Sequence, residues 1–167
     1  MSAQFVPHFA LAILCVLVSH LSVGAQTSTL DKDPRIGTWT LNLEKSRFTA
    51  GNGPKMQVRR VTSRPDGFIV FTQIGLDAQD NPTFIQTTYM LDGKEYPEYT
   101  QSTLAEYAAT GAKPNTNTYV LTDPYTVKIT RFDVMGKITG TSTQAMSQDG
   151  RTLTVTSAIG TQVWNKQ

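Results

Sequence analysis

Two arginines stand where a β-strand could turn them into the interior of a fold. Arg131 follows Tyr125, Val127 and Ile129 at alternate positions, and Arg60 shares its alternation with Met56 and Val58. Successive side chains of a strand go to opposite faces, so each arginine projects from an otherwise apolar face. A guanidinium in that setting can hold a carboxylate or phosphate group through paired N–H donors. At a strand end it can equally pack its stem and leave its charge in water. Tyr89 and Tyr125 are the tyrosines best placed to offer a hydroxyl to a bound molecule, and Ile129 supplies apolar wall beside Arg131. The competing reading of each tyrosine is a packed ring with its tip at solvent.

The carboxylates read differently. Asp66, Asp92, Asp123, Asp133 and Asp149 sit beside Gly or Pro or at strand ends, which is turn chemistry. Glu95 and Glu98 flank Tyr96-Pro97, where the proline is expected to turn the strand and leave both acids facing water. Asp77, Asp80 and Asn81 have no EF-hand spacing, and Gly51-Asn52-Gly53-Pro54-Lys55 lacks the strand–loop–helix context of a phosphate loop. No catalytic residue, metal site or cofactor is assigned.

A negative feature narrows the chemistry further. Residues Phe9 to Val18 form an unbroken apolar run, followed by SHLSVGA ending in Val23-Gly24-Ala25. This is the pattern of a secretory signal peptide covering residues 1–25, with cleavage expected after Ala25. The run falls short of the roughly 20 residues a membrane-spanning helix needs, so no stable membrane anchor is expected after cleavage. His8, Cys15 and His20 all lie in that segment, and the chain from Gln26 onward has neither histidine nor cysteine. Ser-His-Asp and Cys-His catalysis, disulfides and histidine-ligated zinc or haem are thereby excluded from the mature protein. The expected location is secreted or periplasmic.

The elements that must position these groups are strands. The chain has 167 residues, of which 39% are hydrophobic and only 17% charged. That composition supports one domain, residues 36–167, behind a flexible leader at residues 26–35. A net charge of +2 is too small to argue for a nucleic-acid partner. Ten β-rich runs are separated by turn signals such as Pro65-Asp66-Gly67, Asp92-Gly93 and Asp149-Gly150. They begin at Thr38 to Leu43, Lys55 to Arg64, Phe68 to Gly75 and Thr83 to Leu91, with a short Lys94 to Pro97. Thr118 to Thr122, Tyr125 to Asp133, Lys137 to Met146, Arg151 to Ala158 and Thr161 to Asn165 follow. Nothing of helical period is long enough to cover such a sheet, so it must close on itself. The expected fold is all-β, an up-and-down antiparallel barrel of about 8–10 strands. Thr-rich rows, such as Thr139-Thr141-Thr143, predict a lumen not filled by large side chains. Within Tyr99 to Asn117, the Thr103–Glu106 spacing and Gly111 predict a short helix over Leu104 to Thr110, either a lid or a wall-packed excursion.

Gly37-Thr38-Trp39 opens the first run, and the wider GTWTLNLEKSRF (Gly37 to Phe48), DGKEYP (Asp92 to Pro97) and SQDGRTLTVT (Ser147 to Thr156) follow in order. Together these resemble uncharacterised secreted bacterial lipocalin-like proteins, over essentially all of the mature chain. The resemblance implies a calycin-type barrel of the lipocalin and fatty-acid-binding-protein kind, with no established activity. It implies Trp39 as the plug of the closed end, and Trp164 becomes its neighbour when first and last strands pair. The final run, Thr161-Gln162-Val163-Trp164, lacks the Arg-x-Tyr pair of fatty-acid-binding proteins, and their helical pair has no room between Glu44 and Pro54. The expected function is binding or carriage of a small apolar or amphiphilic molecule, mainly apolar, in the lumen. The alternatives are a filled barrel acting as a structural or protein-interaction module through Tyr99 to Asn117, and an acid–base enzyme on the same barrel.

Overall fold

The structure is a computed structural model that describes residues 33–49 and 53–167. The expected signal peptide, residues 26–32 of the leader and residues 50–52 of the first link lie outside them. Ten strands follow in order: β1 (Gly37–Phe48), β2 (Met56–Ser63), β3 (Ile69–Leu76), β4 (Pro82–Tyr89), β5 (Asp92–Thr100), β6 (Thr116–Asp123), β7 (Thr126–Phe132), β8 (Ile138–Met146), β9 (Thr152–Ser157) and β10 (Gly160–Lys166). One helix, α1 (Gln101–Thr110), joins β5 to β6. Each strand pairs antiparallel with the next and β1 pairs with β10, giving a closed ten-stranded barrel.

The aspartates anticipated as turn residues close the hairpins. Asp133 Oδ1 accepts the backbone N–H groups of Met135 and Lys137, both at 2.9 Å, while Gly136 takes φ +78°. The Asp77–Asn81 turn has the same bonding frame, and there Asp80 itself adopts φ +66°. Aspartate tolerates this left-handed region better than most residues, and its carboxylate meets Lys55.

Side-chain size divides the barrel into two halves. Toward the end where β1 begins, Trp39, Ile69, Val127, Leu153 and Trp164 are almost wholly buried and fill the interior. Both tryptophans have 0% exposure. Removing an indole of about 200 Å² from water contributes on the order of 5 kcal/mol before entropy is charged against it. The β1–β10 register sets Leu41 opposite Trp164 and Trp39 opposite Lys166. The bulge between Asn42 and Arg47 is bridged by Ser46, whose hydroxyl donates to Asn42 O (2.6 Å) and accepts from Val163 N (3.0 Å).

Asp33–Arg35, expected as the end of a flexible leader, is instead tied to the barrel. Trp39 Nε1 donates to Arg35 O at 2.9 Å, and Lys166 Nζ donates to Pro34 O at 2.8 Å. Asp33 and Arg35 form an ion pair of 2.6 Å that is largely buried. The indole needs an acceptor when buried, and the leader supplies it.

The helix starts earlier than its sequence suggests. Thr100 is the N-cap, and Thr100 and Thr103 form the capping box, with Thr100 N donating to Thr103 Oγ1 (2.7 Å) and Thr103 N to Thr100 Oγ1 (3.2 Å). A threonine at the third position thus does the work that was expected of Glu106. Gly111, at φ +70°, ends the helix as anticipated. No residue of α1 is buried; Leu104 and Tyr107 remain about half exposed, with Tyr107 edge-on to Tyr99.

Candidate functional site in the barrel lumen

Above the filled half the lumen is hollow. The cavity measures about 370 Å³, large enough for roughly a dozen waters at their liquid volume. It exists because the inward positions there are small, notably Gly140, Ser142 and Ser157, where the opposite half carries Trp, Leu and Val. A second hollow of about 420 Å³ adjoins at the rim and shares Gln57, Ile159 and Gln162 with the first. The wall is mixed, with more apolar than polar surface. Gln57, Gln73, Gln144 and Gln162 line it, interspersed with Phe71, Ile85, Ile129 and Val155.

One side is dominated by Arg59, on β2. Only 6% of it is exposed. Its guanidinium lies over the Trp164 ring, 3.8 Å from the centroid, with the Phe71 ring at 5.5 Å. Nε donates to Gln73 Oε1 at 2.6 Å, and Nη2 makes a longer bond of 3.3 Å to Gln162 Oε1. Among the described residues Nη1 has no hydrogen-bond partner and no carboxylate pairs with Arg59. Burial therefore lowers its pKa to about 9, which still leaves it charged at pH 7.

A second polar group includes Glu98 of β5. Glu98 is 8% exposed; its Oε1 meets Arg131 Nη2 at 2.9 Å and its Oε2 accepts from Asn117 Nδ2 at 2.8 Å. Asn117 Nδ2 also reaches the Tyr119 hydroxyl at 3.2 Å. Tyr119 stacks on Tyr89, with ring centroids 3.7 Å apart and planes 16° from parallel. Burial pushes the Tyr119 phenol up to about 12 and raises Tyr89 as well, so both stay neutral hydrogen-bonding groups.

Of the residues expected in the lumen, Arg131, Ile129 and Tyr89 line the cavity. Arg131 does so from the rim, with half its side chain exposed. The other two do not. Arg60 is exposed on the outside of β2, because the inward set of that strand is Gln57, Arg59 and Val61. Its apolar neighbours Met56 and Val58 marked the outer face, not the inner one. Tyr125 lies in the turn before β7, 40% exposed, and Val127 takes the first inward place on that strand. Trp39 and Trp164 sit in the filled half, outside the cavity wall. Glu98, expected at solvent, is turned inward because β5 runs straight through Pro97 to Thr100 instead of ending there. Asn117, Tyr119 and Gln73 carry no signal of their own beyond strand alternation.

None of the α1 residues lines the cavity. Among the described residues no three acidic, histidine or cysteine side chains are grouped to hold a metal ion. No family model, no curated protein and no solved structure matches this chain.

Proposed function

We propose that the chain is an exported, lipocalin-like protein that binds a small molecule in the open half of its barrel. The observation that carries this reading is the hollow of about 370 Å³ on which Arg59, Tyr119 and the Glu98–Arg131 pair converge. Few convergent polar groups in an otherwise packed concave wall are the usual composition of a ligand site. Export is supported by the apolar run Phe9 to Val18 and the small residues before Gln26, and kinship by the ordered motifs beginning at Gly37. The apolar wall with amides set into it suits a small apolar or amphiphilic molecule. The hollow itself counts against a filled barrel acting only as an interaction module. The oxygens of Glu98 are engaged by Arg131 and Asn117, so among the described residues that hollow offers an acid–base role no free carboxylate.

The test is native mass spectrometry of the chain from Gln26 onward after exposure to a bacterial lipid and metabolite extract. Ser142 sits opposite Ile129 in the β7–β8 register and faces the hollow. A discrete adduct on the wild type that disappears in Ser142→Trp supports lumen binding. A bare wild type, or an adduct indifferent to Ser142→Trp, overturns it. N-terminal sequencing of the protein recovered from an exporting cell is expected to start at Gln26.

A further inference from the structure

We infer that the lumen selects an organic monocarboxylate, held by Arg59; this rests on the lumen-binding reading above and names the ligand's head group. A guanidinium has five N–H donors in a fixed fork. In Arg59, Nε is committed to Gln73 and one Nη2 hydrogen reaches Gln162, while Nη1 finds no acceptor. Trp164 against its face fixes the plane of the fork. A buried cation left short of acceptors is costly, and the cost is removed by a bound anion.

The charge count within the cavity gives the sign and size of that anion. Arg59 and Arg131 are positive and Glu98 is negative, leaving one positive charge uncompensated. Glu98 is already paired to Arg131, so it does not neutralise Arg59. One surplus charge calls for a singly charged anion, and the Glu98 carboxylate in the same cavity disfavours a doubly charged phosphate. A planar carboxylate matches the fork through parallel hydrogen bonds. Phe71 and Ile85 offer the apolar surface that its organic part would cover, within a volume suited to about ten non-hydrogen atoms.

Octanoate, octanol and octylammonium share one chain and differ only in head group, and their binding can be compared by calorimetry at neutral pH. Octanoate is expected to bind the wild type at least tenfold more tightly than octanol, with octylammonium weakest. In Arg59→Met the preference should vanish while octanol binding is kept, and Arg59→Lys, which retains charge without the fork, should fall between. Equal binding of octanoate and octanol to the wild type overturns the head-group assignment and leaves lumen binding standing. So does a preference for octanoate that survives in Arg59→Met. Failure of all three probes to bind overturns lumen binding of such molecules, and the assignment with it. The wild-type comparison decides the matter even if Arg59→Met fails to fold.

Discussion

Replacing Arg59 by methionine exchanges a buried cation for an apolar side chain of similar length, and the structure sets the expected sign. Burial lowers the arginine pKa from 12.5 to about 9. At about 1.4 kcal/mol per pKa unit, carrying the charge into the lumen costs about 4–5 kcal/mol. Below about pH 9 the group is charged in both folded and unfolded chains, so the cost is fully present at pH 7. Against its removal stand the cation–π contact with Trp164, about 2 kcal/mol, and the Gln73 carbonyl left without its donor, about 1–3 kcal/mol. Methionine recovers part of this on the same indole, about 1 kcal/mol. The sum is a stability unchanged or raised by up to about 3 kcal/mol. Removing one member of a made buried ion pair instead costs about 3–5 kcal/mol. Urea unfolding followed by far-UV circular dichroism, at pH 7 and without ligand, reads the difference. A loss of more than about 1 kcal/mol would refute the reasoning, since it would mean that the guanidinium is already satisfied by the protein.

Three other perturbations test other parts of the molecule. Trp39→Ala removes a fully buried indole and its bond to Arg35, and is expected to cost about 3–5 kcal/mol in the same assay; a loss under about 1 kcal/mol would sink its role as the plug. Gly160 has φ +124°, and a Cβ there would lie 2.1 Å from Arg47 O, so Gly160→Ala should cost about 2–4 kcal/mol. An unchanged midpoint would show that the β1–β10 edge yields freely. Hydrogen bonds from the Asn81 side chain and backbone hold Asp77 below its ordinary pKa, as the Tyr125 backbone does for Asp123 and the Ser147 hydroxyl for Asp149. Their contribution is full above about pH 4 and lost as pH falls through the depressed values. Melting temperature should therefore drop below about pH 4, less steeply in Asp77→Asn, and an identical profile for that variant would contradict the assignment.

The strands were readable because each hairpin carries its own punctuation. Asp133-Val134-Met135-Gly136 marks a turn locally, whatever the rest of the chain does. Closure was also readable, since ten strands without a covering helix have no other way to hide their edges. The inward face of β2 was not. Hydrophobicity identifies the inside of a fold only where the inside is packed, and here the half that could bind is lined with Gln57, Arg59 and Gln73. Met56 and Val58 on the outer face therefore pointed to Arg60, one residue and one face away. Glu98 was missed for a different reason. Pro97 looks like a stop, yet its carbonyl accepts from Thr87 Oγ1 at 2.9 Å and the strand continues. The cap of α1 escaped because Thr103 can serve as either box partner or cap.

Nine of the ten strand pairings join neighbours along the chain, and the tenth joins β1 to β10. Gln167 N donates to Thr38 O at 3.0 Å, so the seam extends one residue past β10. During synthesis every hairpin can form as it emerges, but the ring stays open until β10 has been made. The nascent barrel therefore carries two raw strand edges until then, each a template for wrong pairing. Closing the seam is a long-range step whose entropy grows only slowly with the chain between its ends. Once it is made, the two ends of the barrel sequence lie side by side. A circularly permuted chain, joined across that seam and cut in the Asp133–Lys137 turn, would keep all ten strand pairs while moving the slow step to β7 and β8.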